Sequence, residues 1–143
     1  MKKGSPQRLP FLLLAIGVTL SDKQQPMTIL VKRMYEPAAK SDGYRILVDR
    51  LWPRGIKKED AHIDTWMKAI APSTELRKWL HEDMDRWPQF ITKYHAQLKA
   101  SPALNELLEL LHKRKTVTFL YAAKDEERNH ALVLREFVSK YLV

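Results

Sequence analysis

There is no cysteine among the 143 residues. Disulfides, thiolate metal sites and cysteine nucleophiles are excluded with it. Glycine is almost as scarce, with four in the whole chain. Neither a Gly-x-x-x-x-Gly-Lys-Ser/Thr loop nor a Gly-x-Gly-x-x-Gly turn occurs, so both familiar phosphate fingerprints are missing and no cofactor is called for. The apolar run from Leu9 to Leu20 spans about twelve residues, short of the roughly 20 a membrane helix needs. The five histidines are scattered. Even His81 with Asp83 and Asp85 matches no ligand spacing, and no metal is expected. No internal repeat or low-complexity tract is visible.

What is present is an ordinary globular composition, 45% apolar and 29% charged, in a chain of one domain's length. The net charge is +8, which invites an anionic partner, either nucleic acid or a small acidic compound. Part of that charge lies in an unusual beginning. Residues 1–26 carry Lys2, Lys3, Arg8 and Lys23 against Asp22, which leaves five of the eight net charges on the remainder. The Leu9–Leu20 run behind those cations has the length of a signal-peptide core, but no convincing small-x-small cleavage site follows it. Residues 1–26 therefore read either as an overlong start, with true initiation at Met27, or as a signal-like segment. Residues 27–143 read as the domain.

Within that domain, Gly43-Tyr-Arg-Ile-Leu-Val-Asp-Arg-Leu-Trp-Pro-Arg-Gly55 is the organising stretch. Three consecutive apolar residues, Ile46 to Val48, predict a strand buried on both faces. Pro53 cannot donate to a ladder, so the strand is expected to end near Trp52. Thr28–Arg33 and Thr116–Ala122 read as further strands, and Ile63–Ile70 as either a short strand or a helical turn. Helices are expected after Ser73, Asp85 and Ser101, each taken as a cap, and from Asn129 to Tyr141. Long helical crossovers between strands imply an α/β fold, a small mainly parallel sheet of three or four strands flanked by helices.

In such a sheet the carboxyl ends share one edge, where ligands bind. The polar residues that follow each strand should meet there. Period two places Arg45, Leu47 and Asp49 on one face of the second strand, with Arg50 and Trp52 on the other. Asp49 either pairs with Arg33, Arg45 or Arg50 to hold the sheet's end, or handles protons. Arg50 and Arg54 flank a Trp-Pro pair; their planar forks suit phosphate or carboxylate, and Trp52 suits a base or sugar. Lys124 and the amino end of the last helix favour an anion. His130 is either a general acid–base or a residue packed on the sheet, and Asp125 or Asn129 either touches ligand or caps the helix. Ser73, near Lys68 and Arg77, has no adjacent base and reads as an N-cap rather than a nucleophile. Asp49, Lys124 and His130 are thus the candidate reactive groups. Arg33, Tyr35, Arg45, Arg50, Trp52, Arg54, Tyr121, Asp125 and Asn129 are the candidate ligand contacts.

Three function classes follow. The first is a binder of, or enzyme on, a small anionic ligand such as a nucleotide or a phosphorylated or carboxylated metabolite. The second is a nucleic-acid-binding module, and the third a non-catalytic interaction protein whose Arg/Asp network is structural.

The chain from Met27 to Leu142 resembles the YeaO-like family, a domain of unknown function (family 488). The likeness rests on Arg33 with Tyr35, on the whole Gly43–Gly55 stretch, and on Ala71-Pro-Ser73 with Leu76-Arg77. It continues through Trp87 and Tyr94 to Leu120-Tyr-Ala-Ala-Lys-Asp125 and Asn129-His-Ala131. The resemblance implies a small cytoplasmic bacterial-type α/β protein and supplies no established activity. Residues 1–26 lie outside the family's pattern.

Overall fold

Two apolar runs become the two central strands of a four-stranded parallel sheet. The computed structural model describes residues 27–142; the readings of residues 1–26 fall outside them. Strands β1 (Thr28–Arg33), β2 (Tyr44–Leu47), β3 (Thr65–Trp66) and β4 (Thr116–Tyr121) lie in the order β1-β4-β2-β3, every pair parallel. The helices are α1 (Lys58–Ala61), α2 (Thr74–Glu82), α3 (Trp87–Ala100), α4 (Ala103–His112) and α5 (His130–Ser139). Ile63–Ile70 contains both of its expected forms, since β3 is followed by a 3-10 turn at Lys68–Ile70.

Alternation along β4 sorts the sheet into two unequal faces. Val117, Phe119 and Tyr121 join Ile46, Leu80, Phe90, Tyr94, Leu107 and Leu134 in the larger core, under α2 to α5. Leu120, on the opposite face, packs with Leu47, Met34 and Ala61 in a small second core that Trp52 and Trp66 help to cover. Trp66 therefore belongs to the sheet's minor face. Two caps are as expected: Ser73 Oγ accepts from the Leu76 amide and Asn129 Oδ1 from the Leu132 amide. One is not. Asp83, and not Asp85, takes the capping bond, closing a 3-10 turn at Met84–Arg86, and α3 starts at Trp87 without a side-chain cap.

The chain passes from β1 to β2, and from β2 to β3, over the minor face, and returns from β3 to β4 over the helical one. Opposite directions on opposite faces are what a single crossover hand requires. Leaving its carboxyl end, β2 turns toward the minor face, while β4 turns toward α5 on the other. A crevice opens between them at the topological switch point. The second strand is shorter than Pro53 implies: pairing stops at Leu47, with one more ladder bond from the Val48 amide to Leu120 O at 3.1 Å. Asp49, Arg50 and Trp52 thus lie beyond the strand, and the period-two face assignment does not reach them.

The minor face is pinned by a buried ion pair. Asp42 and Arg45 are 3% and 5% exposed. Arg45 Nη1 donates to the Asp42 carboxylate, Nε to His62 O at 2.8 Å, and Nη2 to Ala61 O at 3.3 Å. Lys32 Nζ reaches Asp42 from β1 at 3.0 Å, and Thr118 Oγ1 donates from β4 to Asp42 O at 2.6 Å. Gly43 precedes β2 at φ 66°, where a Cβ would fall 2.3 Å from Thr116 O; only glycine lets the chain pass so close. Burial alone would raise the Asp42 carboxyl, but the Ala39 amide, Lys32 and Arg45 together bring it below its ordinary value.

Replacing Asp42 by Ala leaves a buried guanidinium without its anion and should cost about 3–5 kcal/mol, read as a lower urea midpoint. Because the folded carboxyl titrates below the unfolded one, its contribution is complete above the ordinary carboxylate range. It is lost as the pH falls through the depressed value. The stability gap between the native chain and Asp42→Asn should therefore narrow on acidification, and a gap constant with pH would contradict the assignment.

Candidate functional site

The switch-point crevice is a cleft of about 590 Å³, within the size range of small-ligand sites. The loop after β2 supplies Asp49, Arg50, Leu51, Trp52, Pro53 and Arg54; α2 supplies Arg77, Leu80 and His81; the loop after β4 supplies Lys124, Asp125 and Arg128, and His130 opens α5. Five of these side chains are permanent cations and two are carboxylates. Leu80, Met84 and Phe90 make an apolar wall. Tyr35 stands at the rim, its hydroxyl donating to Arg54 O at 2.8 Å.

Asp49 is held at three points. Its carbonyl accepts from the Trp66 indole at 2.8 Å, and its Oδ2 accepts from the Ala122 amide at 3.0 Å, so the side chain continues the β2–β4 ladder where the backbone stops. Its Oδ1 lies 3.1 Å from His130 Nε2. That nitrogen is also 2.9 Å from Val48 O. Asp49 therefore pairs with a histidine from α5, and not with Arg33, Arg45 or Arg50. Tyr94 sets the ring from behind, edge-on at 6.2 Å between centroids, and its own hydroxyl donates to Ile70 O at 2.7 Å. Complete burial, with the Asp49 charge, pushes the Tyr94 hydroxyl far above its ordinary range, so it serves as a neutral donor.

The expected ligand contacts divide sharply. Arg45 is remote, locked in the ion pair with Asp42. Arg33 donates to Ala123 O at 2.8 Å and Ala122 O at 3.1 Å and stacks over Tyr35, which shapes the β4 loop from outside the cleft. Tyr121 is buried in the larger core. Arg50 lines the cleft, yet its Nε and Nη2 donate to Pro72 O at 3.2 Å and Ala71 O at 3.1 Å, clamping the wall before α2. Trp52 donates its indole N–H to Ile56 O at 2.6 Å and meets Trp66 edge-on. Asp125 accepts from the Glu127 and Arg128 amides, both at 2.9 Å, and its carboxyl is held below its ordinary value chiefly by those amides. Asn129 caps α5.

That leaves Arg54 and Lys124, which line the cleft with no carboxylate partner among the described residues. A third cation of the same kind, Arg77, was not among the expected contacts. It lies one helical turn after the Ser73 cap, and the Ser73 carbonyl accepts its amide at 2.9 Å. The signal for it was the Ser73-to-Arg77 spacing, which fixes Arg77 on the first turn. Nothing in the sequence aimed that turn at the loop after β4.

A family model described as the "Inactive DUF488-N3 subclade" matches residues 28–143. The chain is 49% identical over 112 residues to the uncharacterised protein YeaO of Escherichia coli strain K12, covering 78% of this chain and 97% of that protein. It is 41% identical over 111 residues to the uncharacterised protein Rv3073c of Mycobacterium tuberculosis strain H37Rv, covering 78% of this chain and 93% of the relative. No solved structure gives a significant match.

Because the Ala71 and Pro72 residues are buried, Arg50→Ala should act first on stability. Stranding their carbonyls is expected to cost on the order of 1–3 kcal/mol. Chemical denaturation of the ligand-free variant measures this; an unchanged midpoint would mean that the clamp does not hold the wall.

Proposed function

The chain belongs to the DUF488 family, YeaO-like and within the subclade described as inactive, and we propose that it binds a small anionic compound in the switch-point cleft. The compound carries a phosphate or carboxylate group on a partly apolar body, as a nucleotide or a phosphorylated metabolite does. The observation that carries this reading is the meeting of Arg54, Arg77 and Lys124, unpaired with any carboxylate among the described residues, around one concavity. Guanidinium and ammonium groups left without internal partners can give charge-assisted hydrogen bonds to an incoming oxyanion. Apolar side chains line the same cleft, Leu51, Trp52 and Met84 among them, and suit the uncharged part of the same molecule.

The subclade's description favours binding without turnover. The local chemistry points the same way: Ser73 is a cap, and the cleft lining includes no cysteine or serine to act as nucleophile. A nucleic-acid reading draws support from the net charge alone. It has less behind it, because the cations line a concavity rather than a stripe along the surface.

The test is a thermal-shift and calorimetric screen of the full chain against inorganic phosphate, nucleotides, sugar phosphates and carboxylates. A ligand of the native state raises the melting temperature by mass action. Arg54→Ala, Arg77→Ala and Lys124→Ala should each weaken the best hit roughly tenfold or more, the loss of one hydrogen bond to a charged group. Affinities unchanged in all three variants would remove the cleft as the binding site. Stabilisation by oligonucleotides alone, lost steeply as salt rises, would favour the polymer.

A further inference from the structure

The Asp49–His130 pair has a feature that the cationic rim does not explain. Asp49 Oδ1 is the one buried side-chain nitrogen or oxygen without a hydrogen-bond partner among the described residues, although His130 Nε2 lies 3.1 Å away. The same nitrogen is 2.9 Å from Val48 O. Two acceptors facing one ring nitrogen require that nitrogen to carry a proton. His130 is therefore held with Nε2–H turned inward, donating to Val48 O with the Asp49 carboxylate 3.1 Å from the same nitrogen. Its Nδ1 has no partner among the described residues and is not among the buried unpartnered atoms. It therefore keeps solvent access, on a residue that lines the cleft.

We propose that His130, fixed in this tautomer by Asp49 and Val48, is the group that meets the ligand's oxyanion, through Nδ1–H of its imidazolium form. The proposal deepens the anion-binding reading and rests on it. The proton comes from solvent: Nδ1 takes it up as the anion docks, and the positive charge then lies between the Asp49 carboxylate and the ligand. Asp49 favours the cation from behind, and the bound oxyanion favours it from in front. Arg50, Arg54, Arg77 and Lys124 line the same cleft from the surrounding loops and α2, while Arg128 is paired with Asp125 at 3.1 Å and His81 lies on α2. Tyr94, behind the ring, stays neutral. Asp49 is here a positioning residue and His130 a ligand contact.

Sulfate is the probe of choice, because its charge does not change between mildly acidic and mildly alkaline pH. Titration calorimetry on the full chain, in buffers of different ionisation enthalpy, should show proton uptake on sulfate binding. The affinity should fall with rising pH by up to about tenfold per unit, the limit for one linked proton. His130→Gln should bind sulfate at the native chain's high-pH affinity, with no uptake, whereas His81→Gln should retain it. Asp49→Asn should diminish the linkage. Nitrogen NMR of the ligand-free chain gives an independent reading and should find His130 with its proton on Nε2. Sulfate binding that is independent of pH, or an Nδ1–H tautomer, overturns this proposal while leaving the cationic cleft intact. Failure of sulfate, phosphate and every organic anion to bind overturns both readings together.

Discussion

The sheet's minor face is held by one buried ion pair, and the cleft exists because that pair is satisfied. A guanidinium and a carboxylate removed from water are costly unless their remaining hydrogen-bonding capacity is met. Here it is met from every neighbouring element. Asp42 receives Lys32 from β1 and the Ala39 amide, and Arg45 reaches the carbonyls at the end of α1. Asp64 Oδ2 accepts the Arg45 amide at 2.8 Å, and Thr118 on β4 ties down Asp42 O. The loop after β2 lies back over the same minor face, where Trp52 and Trp66 pack. That fold-back sends Asp49 to Arg54 over the carboxyl edge.

The basic residues therefore do two different jobs that composition cannot separate. Arg33, Arg45 and Arg50 are all tied to backbone carbonyls, and the planar fork of arginine makes them good at bracing loops that carry many unpaired acceptors. Arg54, Arg77 and Lys124 have neither such a tie nor a carboxylate partner among the described residues. A net charge of +8 overstates the charge available to a partner, because much of it is internal scaffolding.

The sequence reached the sheet more easily than the site, for physical reasons. Burial on both faces is written locally, in Ile46–Val48 and in Val117–Tyr121, so the central strands and their parallel sense were legible. The end of β2 was not, because Pro53 marks where a strand must stop and not where it does. It stops earlier because the Asp49 side chain takes the Ala122 amide in place of a backbone carbonyl, a substitution that hydropathy periodicity cannot register. Arg45 looked like a site residue by its place in the motif. Its true partner, Asp42, stands three residues before it, but the turn through Gly43 that brings them together is set by contact with β4. The Asp49 partner is 81 positions away on α5, and Arg77 faces the cleft through the packing of α2. Contacts of that range are fixed by tertiary structure, so no local pattern encodes them.

The shape of the charge bears on which anion the cleft suits. A polymer's phosphates repeat at fixed spacing, and a protein that reads them spreads cations along a surface to match. Here the three unpaired cations stand around a concavity and face an apolar wall, with a histidine–carboxylate pair deep between β2 and α5. The small anion we propose would meet cations that line one cleft. The apolar part of the lining, Leu51 and Met84 included, would stay wet under a polymer but would be covered by a compact ligand. We therefore propose that the cleft favours a small anion over a long one.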